Sequence, residues 1–120
     1  MIEAYEDQKT GVRFYITHSD KEFTTGVTVM PPHTELSAHR RSGAVENLGQ
    51  VAGRCIVKLV GDDGGIEEHG LVPGGSLSIP EGQLHIHANP NGELSVTLFK
   101  AVGDTTAAVE GLRQNLTRIM

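Results

Sequence analysis

Residues 73–89 read Pro73-Gly74-Gly75-Ser76-Leu77-Ser78-Ile79-Pro80-Glu81-Gly82-Gln83-Leu84-His85-Ile86-His87-Ala88-Asn89. Leu77 and Ile79 alternate with Ser76 and Ser78, the period of a strand with one buried face. A glycine turn precedes this strand and a Pro80-Glu81-Gly82 turn ends it. Proline presets φ there, and glycine accepts backbone angles that other residues resist. His85 and His87 follow on a second predicted strand. Two apart, they point to the same face, so both imidazoles can converge on one ion or ligand.

The same punctuation runs along the chain in both directions. Residues 1–10 are polar and lead into a predicted strand over 11–17, whose β-branched and aromatic residues suit a pleated surface. A turn at 18–21 precedes a strand over 23–30, which Pro31-Pro32 stops. Further strands are expected over 36–41, 45–50, 55–60, 66–72 and 94–102. Gly61-Asp62-Asp63-Gly64-Gly65 forms the hairpin turn between two of them, and Asn89-Pro90-Asn91-Gly92 forms another turn. Turn signals about every 8–12 residues between short strands predict an all-β sandwich or barrel of jelly-roll type.

The tail changes period. Val109, Leu112, Leu116 and Ile119 recur at helical spacing behind Asp104, a candidate N-cap. Arg113 and Arg118 stand toward the end where the helix dipole favours cations. The prediction is a barrel over 1–103 and a C-terminal amphipathic helix over 104–120 of the same domain. Its apolar stripe is expected to dock on the outside of the barrel or on a second subunit.

The 120 residues suffice for one core and fall short of two. A net charge of −5, from 10 basic and 15 acidic residues, argues against a partner bound through nucleic-acid phosphates. No window approaches the roughly 18 apolar residues of a membrane span, and the first residues lack the pattern of a signal peptide. Cys55 is the only cysteine, so no disulfide framework exists within the chain. The expectation is a cytoplasmic protein with no membrane partner.

The 73–89 stretch resembles the second sequence motif of the cupin family: Gly, five residues, Pro, one, Gly, two, His, three, Asn. Gly74, Pro80, Gly82, His85 and Asn89 occupy all five places. The first cupin motif reads Gly, five, His, one, His, three or four, Glu, six, Gly. His33, His39, Arg41, Glu46 and Gly53 stand in that register, so His33 replaces a glycine and Arg41 replaces the second histidine. The two motifs lie in the family's order across residues 33–89. The resemblance implies a double-stranded β-helix, a homodimer as in many relatives, and a small-molecule ligand or substrate. It also implies a divalent transition metal (Fe, Mn, Ni or Zn), for which His39, Glu46 and His85 stand at ligand positions. Such a donor set suits these metals, and open coordination positions admit water or substrate. The cupins include dioxygenases, isomerases and lyases, among which a fold does not choose.

Arg41 complicates that site. Two residues after His39 on a strand, its guanidinium faces the same way. A charge about 5 Å from a divalent ion is repelled by roughly 7 kcal/mol at an effective dielectric near 20. Three outcomes stay open. His87 supplies the missing imidazole, and Arg41 turns toward the mouth to clamp a substrate carboxylate or phosphate. Alternatively the site is metal-free: Arg41 pairs with Glu46, and the histidines form the polar wall of a pocket that binds or senses a small ligand. In the third outcome three ligands hold a metal weakly. For an enzyme, Glu46 and Arg41 are the catalytic candidates, Glu46 relaying a proton and Arg41 holding the anionic end of a carboxylate or sugar-like substrate.

The remaining candidates read as structural. Histidine tolerates positive φ better than most residues, which suits His33 to the glycine place of a turn. His18 and His69 read as surface residues, and Arg40, opposite Arg41 in phase, as solvated. Cys55, in an apolar run, reads as a small buried hydrophobe. No phosphate loop follows Gly61–Gly65, and no serine stands in a nucleophile-elbow context.

Overall fold

A computed structural model describes residues 2–120. The strands are β1 (Glu3–Glu6), β2 (Arg13–Ser19), β3 (Phe23–Met30), β4 (Thr34–Glu35), β5 (Ala44–Ala52), β6 (Cys55–Val60), β7 (Ile66–Leu71), β8 (Ser76–Ile79), β9 (His85–Asn89), β10 (Ser95–Gly103) and β11 (Thr117–Arg118). One helix, α1 (Thr106–Asn115), lies between the last two. A seven-stranded sheet has the order β11-β1-β2-β3-β10-β5-β8, and a four-stranded sheet the order β4-β9-β6-β7. All pairings are antiparallel. This is the jelly-roll arrangement expected from the turn spacing.

Alternation along the strands sends one set of side chains inward. On β3 Thr24, Thr28 and Met30 are buried while their neighbours are half-exposed. Gly26 occupies the same inward phase because the Phe99 ring lies over it; an added Cβ would overlap that ring and the Tyr15 carbonyl oxygen. One end of the interior is filled by Leu48, Cys55, Val57, Leu71 and Ile79. Beside them the buried Gln50 amide is satisfied on both sides. Its Nε2 donates to Ser95 Oγ at 2.9 Å and to the Ala52 carbonyl at 3.0 Å, and its Oε1 accepts from Thr97 Oγ1 at 2.7 Å. Cys55 is 1% exposed, and burial pushes its thiol pKa up, which fits a packing role.

Motif residues that carry no chemistry build the turns. Gly53, Gly74 and Gly82 all have positive φ, and a side chain on Gly53 would overlap the Leu94 carbonyl oxygen. His33 has φ +57°, the left-handed conformation expected where relatives carry glycine. Asn89 is fully buried, and its Nδ2 donates to the carbonyls of Met30, Pro31 and Glu93 at 2.8–3.1 Å.

Four expectations need correction. The polar lead-in contains a strand, β1, paired with β2. Residues 36–41 do not form a regular strand; β4 covers only Thr34–Glu35, and His39 makes an isolated bridge to His85. The helix does not run to 120: it ends at Asn115, and β11 then pairs with β1, Tyr5 opposite Arg118. At its start Thr105 is the cap residue, while Asp104 Oδ1 accepts from the Thr106 N–H at 3.1 Å from one position earlier.

The fourth correction concerns where the helix docks. The chain leaves β10, third from one edge of the large sheet, and must reach β11 at the other edge. Four strand spacings make about 19 Å, and ten helical residues span about 15 Å. Helix α1 therefore crosses the sheet, and its stripe faces the interior instead of the outside or a second subunit. Val109 is buried; Leu112 and Leu116 are half-buried against an internal cavity.

Candidate metal centre and its cavity

The cavity between the sheets has a volume of about 480 Å³. Its polar end is built by His39, Arg41, Glu46, His85 and His87, so all five residues singled out in the sequence line one space. Glu46 points inward from β5 between the exposed Val45 and Asn47, and β9 delivers His85 and His87 in the same phase. His39 reaches them because two backbone hydrogen bonds tie its segment to β9. The His39 N–H donates to the His85 carbonyl at 3.0 Å, and the His85 N–H donates back at 2.9 Å.

One ligand atom each from His39, Glu46 and His85 lies within 4.8 Å of the others. His39 Nδ1 is 2.9 Å from the Ser37 carbonyl oxygen, and His85 Nδ1 is 2.9 Å from the Gln83 carbonyl oxygen. A carbonyl only accepts, so each Nδ1 carries the proton and each Nε2 presents its lone pair, the orientation metal-binding histidines use. Glu46 Oε2 is buried and has no hydrogen-bond partner, with His85 Nε2 3.6 Å away. An orphaned carboxylate oxygen beside two oriented imidazole lone pairs is a costly arrangement unless something positive sits among them. The residues fit a divalent transition metal.

Burial holds His39 and His87 far below the usual histidine range, both to about 4. Arg41 and His85 add to the effect at His39, and His39 and His85 add to it at His87. Both rings are neutral at pH 7. His87 does not join the three-residue group among the described residues; its Nε2 is buried without a partner and lines the cavity beside it. The set of four ligands expected from the sequence is thus three gathered residues and a neighbour.

Arg41 faces the site, as its position two after His39 implied. Its Nε stands 3.8 Å from Glu46 Oε2, a charge contact without a hydrogen bond, and about a third of its side chain stays exposed. Sequence reasoning did not find the apolar part of the cavity. Phe14, Ile16, Leu36, Leu48 and Phe99 form its walls, and Val109 and Leu112 of α1 roof it with Leu116, the residue just after the helix. The stripe on α1 was visible at helical spacing; which way it faced depends on the crossing to β11.

Among the described residues no helix is long and apolar enough to cross a membrane. No family model matches the sequence, and no curated protein matches it. Solved structures do resemble it. The cupin domain of Schizosaccharomyces pombe Cnp3 has a TM-score of 0.71 at 16% identity, over 94% of this chain and 75% of that one. An RmlC-like cupin from Shewanella frigidimarina gives 0.69 at 17% identity, over 87% and 86%. An oxalate oxidase in complex with glycolate gives 0.64 at 15% identity, over 68% of this chain; the match spans only 42% of the oxidase chain. Identities this low speak to architecture alone. With two facing antiparallel sheets, motif glycines at the turns and these likenesses, the chain has the cupin fold, the double-stranded β-helix.

Proposed function

We propose that the protein binds one divalent transition metal through His39, Glu46 and His85 and acts on a small anionic molecule in the cavity beside it. The observation that carries this reading is the buried, unpartnered Glu46 Oε2 facing two imidazole Nε2 atoms. When bound, the metal would supply a Lewis acid or redox centre with coordination positions open to substrate. The chain's own residues supply the rest. The Ser37 and Gln83 carbonyls fix the ring tautomers. Arg41, partly exposed and not hydrogen-bonded to Glu46, is free to turn and hold the anionic end of the substrate. His87 offers a neutral ring nitrogen at Nε2 to give or take a proton in the water-poor interior.

Elemental analysis of the purified protein, together with its His39→Ala and His85→Ala variants, tests the reading. We expect close to one transition-metal ion per chain, with affinity falling at least about 100-fold in either variant, since each loses one of three ligands. Metal bound equally well by both variants would refute the assignment.

A second reading has one observation in its favour. Arg41 Nε lies within ion-pair distance of Glu46 Oε2, so the guanidinium itself could neutralise the carboxylate in a metal-free binding pocket. Protein that stays metal-free after growth with added Fe, Mn, Ni and Zn supports that reading over the first.

A further inference from the structure

The cavity is divided. Its polar end holds Arg41, the only cationic side chain among the described lining residues, and the unpartnered Nε2 of His87, which is 94% buried by the 6% exposure of its residue. Phe14, Ile16, Leu36, Leu48 and Phe99 give the cavity a broad apolar wall, interrupted by Asp7, Thr28, Ser37 and Asn115. The lining hydroxyls of Thr24 and Thr105 are already bonded to each other at 2.8 Å and ask nothing of a ligand. Across this space Leu112 of α1 and Leu116 just after it are half-buried and line the cavity. A purely polar substrate would leave those surfaces against water.

We propose that the ligand is an amphipathic carboxylate. Arg41 and His87 take the carboxylate, and the apolar body lies between the Phe14–Phe99 wall and Leu112 and Leu116. At the packing density of protein interiors, the cavity accommodates an apolar body of roughly ten to fifteen non-hydrogen atoms with its head. Medium-chain fatty acids and aryl-substituted alkanoates have that size and polarity. The inference rests on the reading of Arg41 as the group that holds the anion, and extends it by specifying what is attached to the anion.

Titration calorimetry with butyrate, hexanoate and octanoate, on metal-stripped and on metal-loaded protein, provides the test. Each methylene buried in the apolar part should tighten binding roughly fourfold, so octanoate should bind at least about 50-fold tighter than butyrate. Octylamine, with the opposite charge, should bind at least tenfold more weakly than octanoate, and Arg41→Gln should remove that preference. Leu112→Asn should flatten the chain-length series. Butyrate and octanoate binding within about threefold of one another, or octylamine matching octanoate, would overturn the proposal. The two readings fail separately. A steep chain-length series on protein that never takes up metal keeps this inference and removes the metal, whereas a flat series on metal-loaded protein does the reverse.

Discussion

Glu46 and Asn89 are both buried and both motif residues, yet they do opposite things. Asn89 spends its amide on three backbone carbonyls and on the Asn91 N–H, so none of its polar capacity is left for a ligand. Glu46 Oε2 is left with no hydrogen-bond partner. The difference predicts separable phenotypes. Asn89→Ala orphans buried carbonyls and should cost about 3 kcal/mol in a urea titration, with metal affinity per folded molecule unchanged. Glu46→Gln should keep the fold and lose the metal. At this scale the sequence was legible wherever spacing fixes direction. His85 and His87 share a phase, Arg41 follows His39, and His33 takes the left-handed turn. It did not separate His87 from the ligand group, because two residues that face the same way on a strand are still about 7 Å apart along it.

At the scale of elements, the clearest device is the clasp on α1. Arg113 donates from Nε to Glu3 Oε1 at 2.9 Å and from Nη2 to Glu3 Oε2 at 2.8 Å, a two-point grip between the helix and β1. The Tyr5 hydroxyl donates to the same carboxylate at 2.6 Å. The Arg113 guanidinium, with help from Tyr5, lowers the Glu3 pKa from an ordinary 4.5 to about 2. Between those pH values the unfolded chain takes up a proton that the folded chain refuses. The clasp's contribution is therefore complete above about pH 4.5 and is lost as pH falls through about 2. Because Arg113 is partly exposed, the contribution is about 1 kcal/mol. Glu3→Gln should lower the unfolding free energy from a urea titration at pH 7 by that much and flatten the acid limb between pH 4.5 and 2, while amide exchange in α1 quickens. An unchanged acid limb would show that the clasp is idle. The strands bounded by Pro and Gly were legible: β3 and β6 have the expected limits. β11 was not, since two residues carry no periodicity and their pairing with β1 closes a loop across the whole chain. Residues 36–41 misled for a related reason: Leu36, His39 and Arg41 all turn toward the cavity, a spacing that no regular strand gives, and only His39 finds a ladder partner.

At the scale of the whole molecule, the fold puts a buried acid, three imidazoles and one guanidinium at one end of a cavity whose other walls are largely apolar. The recurrence of turns sufficed to read the class of architecture. The cavity needed coordinates, because its walls come from the first strand pair, the middle of the chain and the C-terminal helix together. Its central claim is that His39, Glu46 and His85 close on a single ion. X-ray absorption on the Zn- or Co-loaded protein reads the first coordination shell directly. The account predicts two imidazole ligands and a carboxylate per ion, with one imidazole lost in His39→Ala. A shell of oxygen donors without imidazole, or one that His39→Ala leaves intact, would contradict it.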